Sequence, residues 1–187
     1  MASLSQTWGT DPQERQLPFP CDQFILQPDA VVYRGVTIHA PPEVIFRWLC
    51  QMRVAPYSYD WIDNCGRQSP RELIPGLDVL EIGQETMGIF NLVDFVPNRH
   101  LTIRVKPGTR AATVFGDVAG SYLIVVKSAT TCRLLVKLVL QYPGGAISRS
   151  LGILFPWGDL IMMRRQLLNF KELAEQTANE TIKETIL

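Results

Sequence analysis

The sequence predicts an α+β domain in which one curved antiparallel sheet wraps around a long carboxy-terminal helix. Three observations carry this. A segment rich in valine and isoleucine leads into a helical stripe across Pro41 and Pro42, a run of strand-like segments joined by short polar turns fills the middle of the chain, and helical spacing returns near Trp157. A sheet with one apolar face and a helix with one apolar stripe each have a surface to bury, and packing one on the other satisfies both.

Residues 1–29 hold Pro12, Pro18, Pro20 and Pro28 with few periodic apolar positions, which predicts an extended arm that crosses the body. The domain proper is expected over residues 30–176. Its first strand, Ala30 to His39, ends where Pro41 and Pro42 forbid continuation. A helix follows at once, because proline is tolerated in a first helical turn and Glu43 suits the positive end of the dipole. Val44, Ile45, Trp48, Leu49 and Met52 repeat at helical spacing and must face a core. Tyr57 to Arg67, punctuated afterwards by Pro70, Pro75 and Gly76, reads as a short second helix and a loop.

The period then changes. Leu77 to Ile82, Met87 to Val96, Leu101 to Lys106, Ala112 to Phe115, Ser121 to Lys127 and Thr131 to Tyr142 each read as strands, and turns such as Pro97-Asn98 make neighbours antiparallel. Leu101, Ile103 and Val105 alternate with Thr102, Arg104 and Lys106, so one face of that strand is wet or lines a polar part of a cavity. In the last strand Cys132, Leu134, Val136, Leu138 and Leu140 should point inward. From about Trp157, Leu160, Met163, Leu167, Phe170 and Ala174 form the stripe of the final helix, while Arg164, Arg165, Lys171, Glu172 and Glu175 make its solvated side. Residues 177–187 lack a strong stripe and are expected to fray.

Composition narrows the function classes. A chain of 187 residues that is 47% hydrophobic fits one domain. Its 18 basic and 18 acidic residues cancel, which argues against nucleic acid and against an anionic membrane surface as partners. The apolar run Leu134 to Leu140 is interrupted by Lys137 and too short to span a bilayer, so no integral membrane segment is expected. Cys21, Cys50, Cys65 and Cys132 are scattered, and only His39 and His100 could join them, so neither a metal nor a cofactor is expected. The polar, proline-rich start is unlike a secretory signal, which points to the cytoplasm and free thiols. No Gly-x-Ser-x-Gly, phosphate-cradling loop or dinucleotide fingerprint occurs, and hydride and phosphoryl chemistry are disfavoured.

Three segments carry a resemblance: VTIHAPPEVIFRWLCQM (Val36 to Met52), YSYDWIDN (Tyr57 to Asn64) and MMRRQLLNFKELAE (Met162 to Glu175). Together they resemble the SRPBCC superfamily, which includes START domains, Bet v 1-like proteins and polyketide cyclase/dehydrase-like proteins. The resemblance implies a helix-grip fold with a pocket between the sheet and the last helix, in a family whose members bind or transform lipids, sterols and polyketides. It supplies no common catalytic residue.

With that pocket as the expected site, Met163 and Leu167 should form its wall from the helix and Phe90 and Leu134 from the strands. Tyr59, Asp60 and Trp61 should stand at its mouth, where amphipathic rings touch an apolar ligand and Asp60 or Asn64 fixes a polar group. The alternative is that Trp61 plugs the core while Asp60 and Asn64 cap a short helix or satisfy loop amides. Arg104 and Arg133 fall opposite the apolar sets of their strands, which favours an outward, solvated position. His39 and His100 end and begin strands, where an edge role is favoured over acid–base work. An empty cavity of about 300 Å³ would cost roughly 7 kcal/mol, so water, a ligand or side chains should fill it.

The function expected first is therefore binding or carriage of a hydrophobic small molecule, a lipid, polyketide or isoprenoid-like compound. The second is a cyclase or dehydratase-like enzyme in which Tyr59, Asp60 and Arg104 guide a reactive substrate. The third is a protein-interaction module. A tyrosine or aspartate with a perturbed pKa in a closed pocket favours the enzyme, a dry apolar pocket the carrier, and a filled core beside a large exposed apolar patch the module.

Overall fold

The computed structural model describes residues 3–144 and 146–186. Six strands, β1 (Ala30–Ile38), β2 (Glu85–Thr86), β3 (Phe90–Val96), β4 (His100–Val105), β5 (Asp117–Ser128) and β6 (Thr131–Gln141), form one antiparallel sheet. Their order is β1-β6-β5-β4-β3-β2, a meander whose last strand takes the first as its neighbour, with Val36 opposite Leu134 and Val32 opposite Leu138. The described helices are α1 (Leu4–Thr7), α2 (Pro42–Cys50), α3 (Asp60–Asp63), α4 (Arg110–Phe115) and α5 (Ala146–Ile186).

The inner face of the sheet is apolar, as the alternation requires. Cys132, Leu134, Val136, Leu138 and Leu140 of β6 are all buried, together with Leu101, Ile103 and Val105 of β4. They share one core with Met163, Leu167, Phe170 and Ala174 of α5. Helix α2 adds Ile45, Trp48 and Leu49 to it, and the Trp48 indole Nε1 donates to Thr177 Oγ1 at 3.1 Å. That bond and the buried Ala178 carry the packed part of α5 beyond residue 176, and the helix continues to Ile186 where fraying was expected.

Two expected strands are absent from the sheet. Leu77 to Ile82 is a loop with Val79 and Ile82 exposed, and the Arg53 guanidinium takes up the carbonyls of Leu77 and Val79, which leaves them without a ladder. Ala112 to Phe115 makes up the last four residues of α4. Thr109 caps this helix by accepting from the Ala112 amide at 3.2 Å, and the local cap outweighs the β propensity of Thr113, Val114 and Phe115. Gly116 ends it at φ +80, where a Cβ would lie 2.0 Å from the Gln141 carbonyl oxygen. The strand expected from Met87 begins only at Phe90, because Met87 and Gly88 turn the chain with φ of 50 and 73.

The outer face of the sheet is not wet. The amino-terminal segment covers it with the 3₁₀ turns Glu14–Gln16 and Pro20–Gln23, while α1 packs at the sheet edge against β1 and α5, so the segment is not a continuous extended strand. Phe19, Cys21 and Ile25 pack on Ala119, Leu135 and Val139, a second apolar cluster. Beneath it the Cys21 amide donates to Ser121 Oγ at 2.8 Å, and Ser121 and Thr102 share a hydrogen bond at 2.9 Å, all out of solvent. Arg133 points outward as its register demands, but it is not solvated. It binds Glu14 at 2.7 Å, the Gly9 carbonyl at 2.6 Å and Thr37 Oγ1 at 3.0 Å. The arm also covers the edge strand β1, where the Gly35 amide donates to the Trp8 carbonyl at 3.1 Å. A Cβ on Gly9 would fall 2.1 Å from the Gly35 oxygen, so the approach needs glycine. Among the described residues no helix is long and apolar enough to cross a membrane.

Candidate functional site

The sheet and α5 do not close on each other everywhere. Facing the first half of the helix they leave a partly enclosed cavity of about 190 Å³. Ile103 and Val105 of β4, Val118 of β5 and Leu138 of β6 form its floor, and Phe155, Met162 and Met163 of α5 its roof. Helix α4 closes one end with Ala111 and Phe115, whose ring meets Phe155 edge-on with centroids 5.8 Å apart.

Polar groups reach the cavity in three places. The Tyr122 hydroxyl donates to Gln166 Oε1 at 2.7 Å, and Gln166 Nε2 donates to the Pro56 carbonyl at 2.6 Å. Burial pushes the Tyr122 hydroxyl well above the usual tyrosine range, so it stays a proton donor. Asp159 reaches the cavity from α5 while Oδ2 accepts from Arg34 NH2 of β1 at 2.6 Å. Burial raises the Asp159 carboxyl to about 6, against the opposing pull of the Arg34 charge and hydrogen bond. Ser58 and Asp63 stand at the mouth, the hydroxyl donating to the carboxylate, and burial raises Asp63 above its ordinary value.

The mouth is held in a costly backbone shape. Tyr57 has φ 57, unusual for a bulky residue, and its carbonyl accepts from Asn169 Nδ2 of α5 at 2.8 Å. With the Gln166 bond to Pro56, two side-chain amides of α5 pin the Pro56–Ser58 turn beside the cavity. The Tyr57 ring packs between Trp48, edge-on with centroids 6.1 Å apart, and Phe170, tilted with centroids 5.3 Å apart.

Of the residues expected to form the site, Phe90 and Met163 line the cavity. Leu134 and Leu167 do not. Both are fully buried in the solid part of the core, so Leu167→Trp would overpack the core instead of filling the cavity. Tyr59, Asp60 and Trp61 are also absent from the lining. Tyr59 is the N-cap residue of α3, Asp60 accepts from the Ser69 amide at 2.9 Å, and Trp61 is 76% exposed. Their segment does meet the cavity, through its neighbours Ser58 and Asp63. Arg104 is engaged on the outer side by Asp117, with Nε to Oδ1 at 2.9 Å. His39 is exposed and His100 pairs with Asp94 at 3.0 Å, both at strand ends.

No family model matches the chain, and no curated protein matches it in sequence. Solved structures do match in three dimensions. A hypothetical protein from Helicobacter pylori is 14% identical, with a TM-score of 0.55 over 84% of this chain and 95% of its own. A protein from Mesorhizobium loti is 15% identical, with a TM-score of 0.50 over 79% of this chain and 98% of its own. These likenesses accompany a six-stranded antiparallel sheet closed around one long carboxy-terminal helix. The chain has the helix-grip fold. An aromatase/cyclase from Streptomyces sp. R1128 also aligns, at 12% identity and a TM-score of 0.46, over 82% of this chain and 95% of its own.

In this helix-grip domain the sequence reading missed Arg34 and Asp159. The signal was present in both elements. Arg34 stands in the inward register of β1 between Val32 and Val36, and Asp159 sits four residues after Phe155 and four before Met163 on the apolar stripe of α5. A charge in an inward register demands a partner, and each supplies the other's.

Proposed function

We propose that the domain binds a hydrophobic small molecule in the cavity between the sheet and α5. The observation that carries this reading is the cavity itself, about 190 Å³ with mostly apolar walls. Left empty, it would cost about 5 kcal/mol at roughly 24 cal/mol per Å³, a large share of a domain's stability. Water is a poor filling, because a buried water needs two to four polar partners and the polar groups here gather at the margins. An apolar cavity of about 150 Å³ already accepts a benzene ring. The reading as a protein-interaction module asked for a filled core, which the cavity argues against.

Native mass spectrometry of protein purified from its own host is the test. The expected result is a bound small molecule released on denaturation. Ligand-free protein that also takes up no apolar compound in solution would contradict the reading.

One observation favours a second reading, in which the ligand is transformed by cyclase- or dehydratase-like chemistry. A carboxyl that titrates at about 6, facing the cavity, is suited to exchange protons with a bound molecule near neutral pH. Its pairing with Arg34 is also what a structural ion pair requires, which is why binding stands first. Comparing the molecule that co-purifies with wild-type protein and with a folded Asp159→Asn variant separates the two. An unchanged molecule supports binding alone, and a different, precursor-like molecule supports catalysis.

A further inference from the structure

The cavity has charges of one sign. Asp63 and Asp159 line it, and no lysine, arginine or histidine does among the described residues. The guanidinium beside it belongs to Arg34, which stands behind Asp159 with a fully buried side chain. Its NH1 is used by the Tyr33 carbonyl, and its NH2 by the carbonyls of Ser5 and Pro156 and by the Asp159 carboxylate. Its Nε has no partner among the described residues, but Arg34 stands behind Asp159 and is not part of the cavity lining, so no guanidinium face is presented to an anion there.

The neutral groups follow the same pattern. The Tyr122 proton is spent on Gln166, the Gln166 amide on Pro56, and the Ser58 proton on Asp63. What remains unspent toward the cavity is acceptor capacity, on the carboxylate oxygens and on the lone pairs of Tyr122. A ligand anion would have to lie beside two carboxylates, of which Asp159 is already paired with Arg34 and Asp63 is not, and no cation among the described residues lines the cavity to receive it.

We propose that the ligand of this site is an amphiphile whose polar end is a hydrogen-bond donor, with an ammonium group the strongest case, and that carboxylate-ended molecules are rejected. This rests on the reading of the cavity as a ligand site. Ligand selection then comes from the two aspartates at the margin, while the apolar walls supply affinity without discriminating between head groups.

Four probes with one ring system separate the claims: naphthalene, 2-naphthol, 2-naphthylmethylamine and 2-naphthoate, titrated into the full chain at neutral pH and low salt by calorimetry. The amine should bind at least about tenfold more tightly than the carboxylate, with the naphthol between them. Asp63→Asn should narrow the ratio of amine to carboxylate affinity, and an unchanged ratio in the folded variant would overturn the selecting role of Asp63. Naphthoate binding as tightly as the amine, with naphthalene also bound, would overturn the donor preference and leave the cavity reading standing. Failure of all four to bind would overturn the cavity reading and this inference with it.

Discussion

Arg34 of β1 and Asp159 of α5 form an ion pair at 2.6 Å with side chains 0% and 7% exposed. The same guanidinium nitrogen reaches the carbonyls of Ser5 and Pro156, so one side chain joins the arm, the edge strand and the last helix. Its Nε has no partner among the described residues, which makes the group dependent on the contacts it does have.

Removing one partner should therefore cost more than removing both. Asp159→Leu leaves a buried guanidinium unpaired and is expected to destabilise the fold by about 3–5 kcal/mol. Arg34→Met combined with Asp159→Leu should recover most of that loss. Urea unfolding of the three proteins measures it, and a single variant less than about 1 kcal/mol below wild type would show that the pair is not buried as described.

The arm should respond to acid. Burial pushes the Glu14 carboxyl up, but the hydrogen bond from Arg133, the Asp11 amide and the Arg133 charge together hold it below its ordinary value. A carboxyl lowered in the fold contributes stability that is present above its unfolded pKa and lost as pH falls through the folded one. Below about pH 4, amide protection in residues 9–25 should fall before protection in the sheet. Glu14→Gln should show the same loosening at neutral pH. Arm and sheet losing protection together, in both experiments, would mean that Glu14 does not fasten the arm.

Trp48 is 1% exposed and donates to Thr177, so Trp48→Ala removes a large core side chain and the bond that extends α5. The expected loss is about 3–5 kcal/mol in denaturant unfolding. A loss below about 1 kcal/mol would contradict the packing of α2 on α5.

Arg164 and Arg165 are both exposed on α5, yet they are not equivalent. The Arg164 guanidinium lies 5.7 Å from the centre of the Trp8 ring. Arg165→Gln should change stability by no more than about 0.5 kcal/mol, whereas Arg164→Gln should cost about 0.5–1 kcal/mol by freeing the arm's tryptophan. Equal effects would remove the cation–π contact from the account.

The inward faces were legible because they depend on period alone. The alternation of β6 and the stripe of α5 name their own buried residues, and the proline junction before α2 names its start. What escaped were features decided by local or distant partners. Thr109 turned a β-prone segment into α4, and Arg53 held Leu77 to Ile82 as a loop. Arg104 and Arg133 were read as outward and solvated, although Leu135 and Val139 in the same register as Arg133 already asked for a cover, which the arm provides. For the site, period named inward-facing residues but could not tell a cavity wall from solid core: Phe90 and Met163 line the cavity, while Leu134 and Leu167 lie in the packed core. The aromatic segment drew attention to Tyr59, Asp60 and Trp61, while its less conspicuous members Ser58 and Asp63 face the cavity.

The measurement that tests the central claim most directly is binding of a solvatochromic apolar dye before and after the cavity is filled from α4. Ala111 lines the cavity and is only partly buried, so Ala111→Phe adds volume there without replacing a core side chain. Wild-type protein should bind the dye saturably with blue-shifted emission, and the variant should lose that binding while its circular dichroism spectrum stays native. Undiminished dye binding by the folded variant, or no saturable binding by the wild type, would contradict the placement of a ligand site between the sheet and α5.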